Sequence, residues 1–364
     1  MTDAYARAGV NQQLGDDASK VFYEAAKLTW DNRKARLGEI IVPFDDFSGL
    51  RVINVGKLPP DTVMCMGFDG VGTKIEIAER LGKHDTVAHD LFAMVCDDAV
   101  VRGGEPVLVG SILDVNCLTG HLDAVKQLAT GYIEAARQAR VAVINGEVAE
   151  LGVRVHGYGN GVAYNWGAGV VWFARKDRLL TGHDIQPGQH IVAFREHGFR
   201  SNGLSLVRKV LNDTYGREWH HATTYASQVL HPSQIYSAAV TDMLGGVIGE
   251  PQACITGIAH ITGGGIPGKL GRTLKPTRHG ARLHTLFEPP QIMQMTQDLG
   301  RIDTKEAYRA WNMGNGMLVI TPEPESVIAV ATRHGIEAKI AGTVTVRPGI
   351  TLNSYDGQIL HLLA

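Results

Sequence analysis

The chain has 364 residues, of which 44% are hydrophobic and 20% are charged, so it is long enough for two domains and is not intrinsically disordered. With 35 basic and 37 acidic residues the net charge is −2, which gives no general attraction to nucleic acid or to a membrane surface. The four cysteines form no CxxC pair, and no apolar run is long enough for a membrane span or a secretory signal. We therefore expect a cytoplasmic protein without a zinc site or a disulfide framework.

Helices and strands alternate in the first half of the chain. The spacing of apolar residues predicts a helix within residues 16–34 and a buried strand at 62–68. The elements predicted after these are a helix at 86–102, a strand at 107–113, a helix at 121–140, and strands at 141–144 and 167–174. This alternation predicts an α/β or α+β fold.

A polar, turn-rich stretch at 175–189 predicts a boundary between an N-terminal domain, residues 1–175, and a C-terminal domain, residues 176–364. The second half repeats the style of the first. Its predicted strands lie at 189–195, from 258, at 316–320 and at 337–343, and its predicted helices at 201–212, 233–247 and 324–334.

The octapeptide GFDGVGTK, residues 67–74, follows an apolar strand and combines one carboxylate with three glycines, a hydroxyl and a lysine. Gly70 and Gly72 allow main-chain N–H groups to turn toward an anion, which Thr73 and Lys74 could also contact. The segment is neither a Walker A loop nor a GxGxxG fingerprint. It therefore indicates either an anion site with a metal at Asp69 or an ordinary strand-to-helix turn.

The segment HDLFAMVCDDAVVRGG brings carboxylates together on one predicted helix. Asp90 precedes Asp97 and Asp98 by seven and eight residues, so the three return to nearly the same helix face. Aligned carboxylates are hard oxygen ligands of the kind that Mg²⁺ prefers. Glu147 also follows a strand and could add a further carboxylate, although the three aspartates could instead be solvated acids on the helix surface and Glu147 an N-cap or turn residue.

Two segments of the second half are candidate anion sites. His260 ends a predicted strand just before three glycines, although a lone histidine is more often a packing residue. The sequence Ser201-Asn202-Gly203 opens a predicted helix with Arg200 beside it, a pattern that fits either phosphate binding or a simple N-cap.

Six blocks, in order, resemble the aminoimidazole ribonucleotide synthetase (phosphoribosylformylglycinamidine cyclo-ligase) family. They are GFDGVGTK, KHDTVAHDLFAMVCDDAVVRGGEP, NGEVAEL, RSNGLSLVRK, IAHITGGG and NMGNGM, with AYARAGVN near the start as a seventh similarity. The resemblance implies two α/β halves, the N-terminal halves of two subunits pairing their sheets in a homodimer. It also implies an ATP-dependent, Mg²⁺-dependent ligase of purine biosynthesis that converts formylglycinamidine ribonucleotide to aminoimidazole ribonucleotide.

The same resemblance implies roles for individual residues. The implied metal carboxylates are Asp69, Asp98 and Glu147. The implied ATP-binding residues are Asp69, Gly70, Gly72, Thr73, Lys74, Asp85, Asp90, Asn145 and Gly146. The implied catalytic residues are His260, Asn202, Arg200 and Lys74.

Some positions depart from the family pattern. Arg200 replaces the histidine of PHSNG, Asn165 replaces an aspartate, and residues 45–51 stand where the family has a glycine-rich loop. An arginine retains phosphate affinity but cannot transfer a proton near neutral pH. These departures leave two alternatives open: a paralogue that activates a different amide or acid with ATP, and a nucleotide-binding homologue without turnover.

Overall fold

The computed structural model describes residues 11–43 and 51–362. Helix α1, Gln12–Trp30, begins after Asn11, whose side chain accepts a hydrogen bond from the Leu14 N–H. The short strands β1, Ile40–Ile41, and β2, Val52–Ile53, pair antiparallel. Nearly all of the AYARAGVN block and residues 45–50 of the departing loop lie outside the described residues.

The first half forms a four-stranded mixed sheet. Its strands are β3 (Thr62–Gly70), β4 (Glu105–Val115), β5 (Ala142–Glu150) and β6 (Tyr164–Arg175). They lie in the order β3-β6-β4-β5, with only β4 and β5 parallel. Its helices are α2 (Ile75–Leu81), α3 (Val87–Val100) and α4 (Leu122–Ala139).

The helices of the described residues cover one face of this sheet and leave the other open. Helix α1 packs on β5, and α3 packs on β3 and β6. On the opposite face, the open face of the sheet, large apolar side chains are exposed: Met64 60%, Met66 50%, Phe68 75% and Ile112 57%. Residues 62–68 do form a strand, but the prediction that this strand is buried is wrong. An apolar run does not reveal whether both faces of a sheet are covered.

The second half forms a seven-stranded sheet in the order β13-β12-β9-β11-β7-β10-β8, antiparallel except for the pair β9 and β12. Its strands are β7 (His190–Arg195), β8 (Gly257–His260), β9 (Gly280–Leu283), β10 (Asn315–Thr321), β11 (Ala338–Thr345), β12 (Gly349–Asn353) and β13 (Ile359–Leu362). All seven residues of β10, which lies between β7 and the edge strand β8, are buried.

Eight helices accompany this sheet in the described part of the chain. They are α5 (Leu204–Tyr215), α6 (Trp219–Ala222), α7 (Tyr225–Val229), α8 (Ser237–Leu244), α9 (Gly265–Leu274), α10 (Gln291–Gly300), α11 (Thr304–Ala310) and α12 (Pro324–Arg333). The helix predicted at 201–212 begins only at Leu204, because Gly203 has a left-handed φ of 78° that ends the preceding turn. No described helix has the length and hydropathy of a membrane span. The two mixed sheets with their helices confirm the predicted α/β (α+β) class.

Candidate active site

The first of the three carboxylates on α3 is neutralised within the protein. Asp90 is fully buried, and its Oδ1 accepts hydrogen bonds from Lys74 Nζ at 2.7 Å and from Ser233 Oγ. Lys74 Nζ also donates to the carbonyl oxygens of Phe199 and His231, at 2.7 and 2.6 Å, so its three protons are used. Both side chains are thus engaged within the protein, and their contact with ATP and a catalytic role for Lys74 stay predictions.

The second carboxylate, Asp97, is also fully buried. It accepts hydrogen bonds from Arg200 Nη2 at 2.9 Å and from the N–H groups of Tyr236 and Ser237 at 2.9 and 2.8 Å, at the start of α8. Burial raises the pKa of Asp97, and these donors oppose that rise. Asp97 therefore joins the two halves of the chain and is closed to solvent.

Arg200 occupies the same interior. Its Nη1 donates to Glu196 Oε2 at 2.7 Å, and its Nη2 contacts Asp97 and, at 2.6 Å, His260 Nε2. Burial acts to lower the pKa of Arg200, but Glu196 and Asp97 hold it above the ordinary value. With 1% of the residue exposed, Arg200 has no free surface for a phosphate, contrary to the expectation from its place beside the Ser201 turn.

The third carboxylate, Asp98, differs from its neighbours on α3. Its side chain is 51% exposed, and its Oδ1 lies 2.6 Å from His260 Nδ1. Burial acts to raise the pKa of Asp98, but the hydrogen bond from His260 lowers it overall. Burial and the adjacent Arg200 lower the pKa of His260 to about 4. Asp98 is therefore an ionised carboxylate, accessible to solvent and held by a neutral histidine.

Asp69 lies at the next-to-last position of β3 and is exposed. Its Oδ1 accepts the N–H of Gly70 at 2.7 Å. Burial and the charge of Asp98 raise the pKa of Asp69, whereas Gly70 and Lys269 lower it. Lys269 also lowers the pKa of Asp98, so these three charged groups act on one another. Sequence reasoning missed Lys269, although it follows the GGG block by only four residues in GGGIPGK.

The glycine run after β8 forms the N-terminus of α9. Gly264 precedes the helix with φ 91°, and no side chain caps the first N–H groups. A Cβ on Gly265 would lie 2.1 Å from the Tyr308 carbonyl oxygen, so the tight turn requires glycine there. The Asn202 side chain lies 3.5 Å from the Cβ position of Gly263, and its Oδ1 is buried without a partner among the described residues. Asn202 and the glycine run thus come together beside His260.

Glu147 lies on β5, the edge strand opposite β3, which carries Asp69. Across the sheet Gly70 pairs with Gly167, Gly167 with Ile112, and Ile112 with Glu147. The backbones of Gly70 and Glu147 are therefore three strand spacings apart, or about 14 Å. A concavity of about 960 Å³ on the open face includes both Asp69 and Glu147 in its lining. The side chains of Asp114, Asn145 and Asn165 also line it, together with Gly70, Gly72 and Gly146.

The three predicted metal carboxylates do not form one compact ligand set. Among the described residues, the only three His, Cys, Asp or Glu side chains with ligand atoms within 4.8 Å of one another are Glu218, His220 and His221. Arg80 Nη1 lies 3.3 Å from His220 Nδ1, so a cation there would face a guanidinium. Asp69, Asp98 and Glu147 cannot all bind one ion in this conformation, since β6 and β4 separate the first from the last.

Two further predicted ATP contacts differ in their surroundings. The exposed Thr73 hydroxyl lies 3.5 Å from Ser205 Oγ, beside the start of α5. Asp85 lies against α4, where its carbonyl oxygen would meet a Cβ on Gly131 at 2.0 Å, and its carboxylate is 3.4 Å from Lys83 Nζ. Thr73 is therefore placed near the candidate site, whereas Asp85 lies at a helix contact.

Two family models match most of the chain: "AIR synthase related protein, N-terminal domain" over residues 50–170 and the C-terminal domain of the same description over 186–354. A relative from Pyrococcus furiosus named phosphoribosylformylglycinamidine cyclo-ligase is 30% identical, covering 98% of this chain and 99% of the relative. A protein of the same name from Geotalea uraniireducens is 33% identical over 88% of each chain.

Solved structures share the fold at low sequence identity. The Escherichia coli hydrogenase maturation protein HypE has a TM-score of 0.61 at 13% identity, covering 94% of both chains. A HypE structure in complex with ATP has a TM-score of 0.57 at 14% identity, covering 85% of this chain and 87% of the other. Thermotoga maritima PurL complexed with FGAR has a TM-score of 0.57 at 14% identity, covering 94% of this chain and 52% of PurL.

Proposed function

Because the chain belongs to the phosphoribosylformylglycinamidine cyclo-ligase family of AIR synthase related proteins, we propose that it closes the imidazole ring of aminoimidazole ribonucleotide with ATP. The membership confirms the family resemblance and the ligase class. It favours the cyclo-ligase over a paralogue with another substrate and over a homologue without turnover. The substrate would be formylglycinamidine ribonucleotide, and the pathway purine biosynthesis.

The observation that carries this proposal is the pair of open carboxylates, Asp69 and Asp98. Both are exposed, they act electrostatically on each other, and no cationic side chain of the described residues forms an ion pair with either. Two carboxylates that act on each other and form no ion pair with a described Lys or Arg suit a hard divalent ion, since Mg²⁺ prefers oxygen ligands and shares its shell with phosphates. We assign Asp69 and Asp98 to Mg²⁺.

The surroundings also fit a phosphate group. The uncapped N–H groups of α9 and the Lys269 ammonium can donate to a phosphate near the open carboxylates, and the Asn202 side chain lies beside the glycine run that starts α9. Glu147, Asn145 and Gly146 line the open-face concavity about three strands away, a separation that suits a second ion or the other end of an extended nucleotide rather than the same ion. Gly70, Gly72 and Thr73 would contact the phosphate groups of the bound nucleotide.

In this reaction the formyl amide oxygen is phosphorylated, and a nitrogen of the same substrate then attacks that carbon and releases phosphate. When bound, Mg²⁺ would offset charge on the transferred phosphoryl group. Asp98, held by His260, would help to keep the phosphates in place, and Asn202 would orient the substrate amide or its phosphate. Holding the attacking nitrogen beside the activated carbon makes ring closure unimolecular, which is the main contribution the pocket can make.

We assign nucleotide binding and dimerisation to residues 1–175, and completion of the substrate site to residues 176–364. This division is supported by the two sheets, since β6 ends at Arg175 and β7 begins at His190. A homodimer is supported by the open face of the first sheet, because a second subunit would bury the exposed apolar side chains of Met64, Met66 and Phe68. Light scattering should give a dimer for the parent and a smaller mass for Phe68→Glu; a monomeric parent at micromolar concentration contradicts the dimer.

The remaining expectations concern location and partners. The proposed partners are ATP and a small ribonucleotide, with no role for nucleic acid or a membrane. A cytoplasmic location is supported by the chemistry, because ATP and purine precursors are cytoplasmic metabolites. Fractionation of the producing cells would test it, and recovery of the protein in a membrane pellet would contradict it.

The direct test supplies purified protein with formylglycinamidine ribonucleotide, ATP and Mg²⁺ and follows aminoimidazole ribonucleotide and ADP together. We expect one product for each ATP consumed and none when Mg²⁺ is removed with a chelator. A matched control uses formylglycinamide ribonucleotide, in which an oxygen replaces the amidine nitrogen that becomes the exocyclic amine, so that the ring-closing ribosyl nitrogen is a weakly nucleophilic amide nitrogen. Substrate-independent ATP hydrolysis without ring closure, or no turnover of correctly folded protein, would overturn the proposal.

A further inference from the structure

Three side chains form a continuous hydrogen-bonded chain from the interior to an open carboxylate. Arg200 Nη2 lies 2.6 Å from His260 Nε2, and His260 Nδ1 lies 2.6 Å from Asp98 Oδ1. A guanidinium has donors but no acceptor, so His260 Nε2 must present its lone pair to Arg200. The single proton of the neutral imidazole is then on Nδ1, from which it is donated to Asp98.

The guanidinium itself is held firmly in place. Nη1 donates to Glu196 Oε2 at 2.7 Å and to the Gln234 carbonyl oxygen at 2.9 Å, while Nη2 also reaches Asp97 Oδ2 at 2.9 Å. Both carboxylates are at most 1% exposed, and water has little access to the ring of His260, which is 2% exposed. The tautomer of His260 is therefore set by the protein rather than by solvent.

The far end of the chain is different, since the side chain of Asp98 is 51% exposed. His260 occupies its Oδ1, which leaves Oδ2 as the oxygen available on the exposed side. Outer hydrogen-bond partners of this kind orient a ligand and typically change metal affinity by about 10- to 100-fold when they are removed.

We propose that Arg200 is a positioning residue, which fixes the Nδ1–H tautomer of His260 so that Asp98 presents one oriented oxygen to the divalent cation. The inference rests on the proposed function for the assignment of Asp98 to that cation. In this role Arg200 acts through His260, and it neither contacts phosphate nor transfers a proton.

Two substitutions at His260 separate the ends of the chain. In His260→Asn the amide nitrogen takes roughly the place of Nδ1 and can still donate to Asp98, but Arg200 loses its acceptor. In His260→Gln the amide reaches roughly the place of Nε2, so the contact to Arg200 survives and the contact to Asp98 is lost. Arg200→Lys keeps a cation between Glu196 and Asp97 but cannot reproduce the forked contacts.

The first readout is Mn²⁺ binding, measured by electron paramagnetic resonance in the presence of a non-hydrolysable ATP analogue. We expect affinity to fall by about 10- to 100-fold in His260→Gln, by about 10-fold in Arg200→Lys and by only a few fold in His260→Asn. Because Arg200 acts through His260, Arg200→Lys should add less than about twofold in the His260→Asn background. Equal losses from Arg200→Lys in both backgrounds, or no loss in the single variant, would overturn the inference.

The second readout does not depend on the metal. Nitrogen-15 NMR of protein labelled at histidine, with His260→Asn used for assignment, should show a protonated Nδ1 and an unprotonated Nε2 in the parent and a mixture in Arg200→Lys. An Nε2–H tautomer in the parent would overturn the hydrogen-bonded chain. Unchanged Mn²⁺ binding in Asp98→Asn would instead overturn the metal assignment in the proposed function, whatever tautomer is found. Thermal unfolding of each variant shows whether the fold is kept.

Discussion

The interior ion pairs, Lys74 with Asp90 and Arg200 with Asp97, contrast with the open carboxylates, Asp69 and Asp98. Three of these four aspartates lie on the same helix, α3, and Asp97 and Asp98 are adjacent in sequence. The interior carboxylates form ion pairs with cations of the same chain, whereas no Lys or Arg of the described residues forms an ion pair with the open ones. A carboxylate with an internal cation holds the two halves together, and one without it is free to bind an external cation.

The largest expected effect comes from breaking an interior pair. Lys74→Met leaves Asp90 buried without a counter-charge, so the free energy of unfolding should fall by about 3–5 kcal/mol. Urea unfolding measures this. Lys209→Met is the matched control, since its partner Asp213 is exposed and the pair is worth at most about 1 kcal/mol. A similar small loss in both variants would show that the interior pair is not structural.

The next effect concerns an open carboxylate. Asp98→Asn should lower ATP-dependent turnover by about 100-fold or more, because it removes a charge assigned to the cation that supports phosphoryl transfer. Its free energy of unfolding should change by less than about 1 kcal/mol, because the side chain is half exposed and the amide oxygen can still accept from His260. The exposed Asp123→Asn serves as control in both assays. Turnover within about threefold of the parent would contradict the metal role.

The interior also contains a neutral histidine, His84, which makes the stability of the protein depend on pH. His84 is 4% exposed, its ring contacts the Tyr164 hydroxyl at 3.0 Å, and burial lowers its pKa to about 4. Between about pH 6.5 and pH 4 the unfolded chain binds a proton there that the folded protein does not. His84 therefore makes stability fall as the pH falls through that window, by up to about 1.4 kcal/mol per pH unit.

His84→Gln should remove this contribution and give a shallower loss of stability between pH 6.5 and pH 5 than the parent shows. Urea unfolding at several pH values measures the slopes. His361→Gln, on an exposed position of β13, should leave the parent slope unchanged. Parallel curves for the parent and His84→Gln would contradict the lowered pKa.

The smallest expected effect is at Thr73, whose exposed hydroxyl follows Asp69 by four residues and lies 3.5 Å from Ser205 Oγ. Thr73→Val removes one hydrogen bond from a hydroxyl to a charged phosphate, worth about 1.5 kcal/mol, so the KM for ATP should rise by about tenfold with kcat little changed. Thr73→Ser keeps the hydroxyl and should behave like the parent. Equal KM values for the parent and Thr73→Val would remove Thr73 from the proposed phosphate loop.

Much of the fold could be predicted because its elements have local signals. The strand ending near Asp69, the helix carrying Asp98 and the strand ending at His260 follow from apolar periodicity and glycine positions, and their observed bounds differ by a few residues. Which face of the first sheet is covered could not be predicted from the sequence. Met66 and Phe68 are apolar in a strand whether a helix, another subunit or water lies over them.

The family, the order of the elements and the presence of carboxylates, glycines and a strand-end histidine follow from the amino-acid sequence, because they depend on residue type and local spacing. Which of the charges remain available to a ligand depends on tertiary contacts. Lys74 bonds to a carbonyl 157 positions away, and Arg200 pairs with an aspartate 103 positions away. Burying a charge is unfavourable unless a partner is present, and no local pattern reveals a partner so distant along the chain. The difference between Asp97 and Asp98 arises for this reason, since one faces Arg200 in the interior and the other faces solvent.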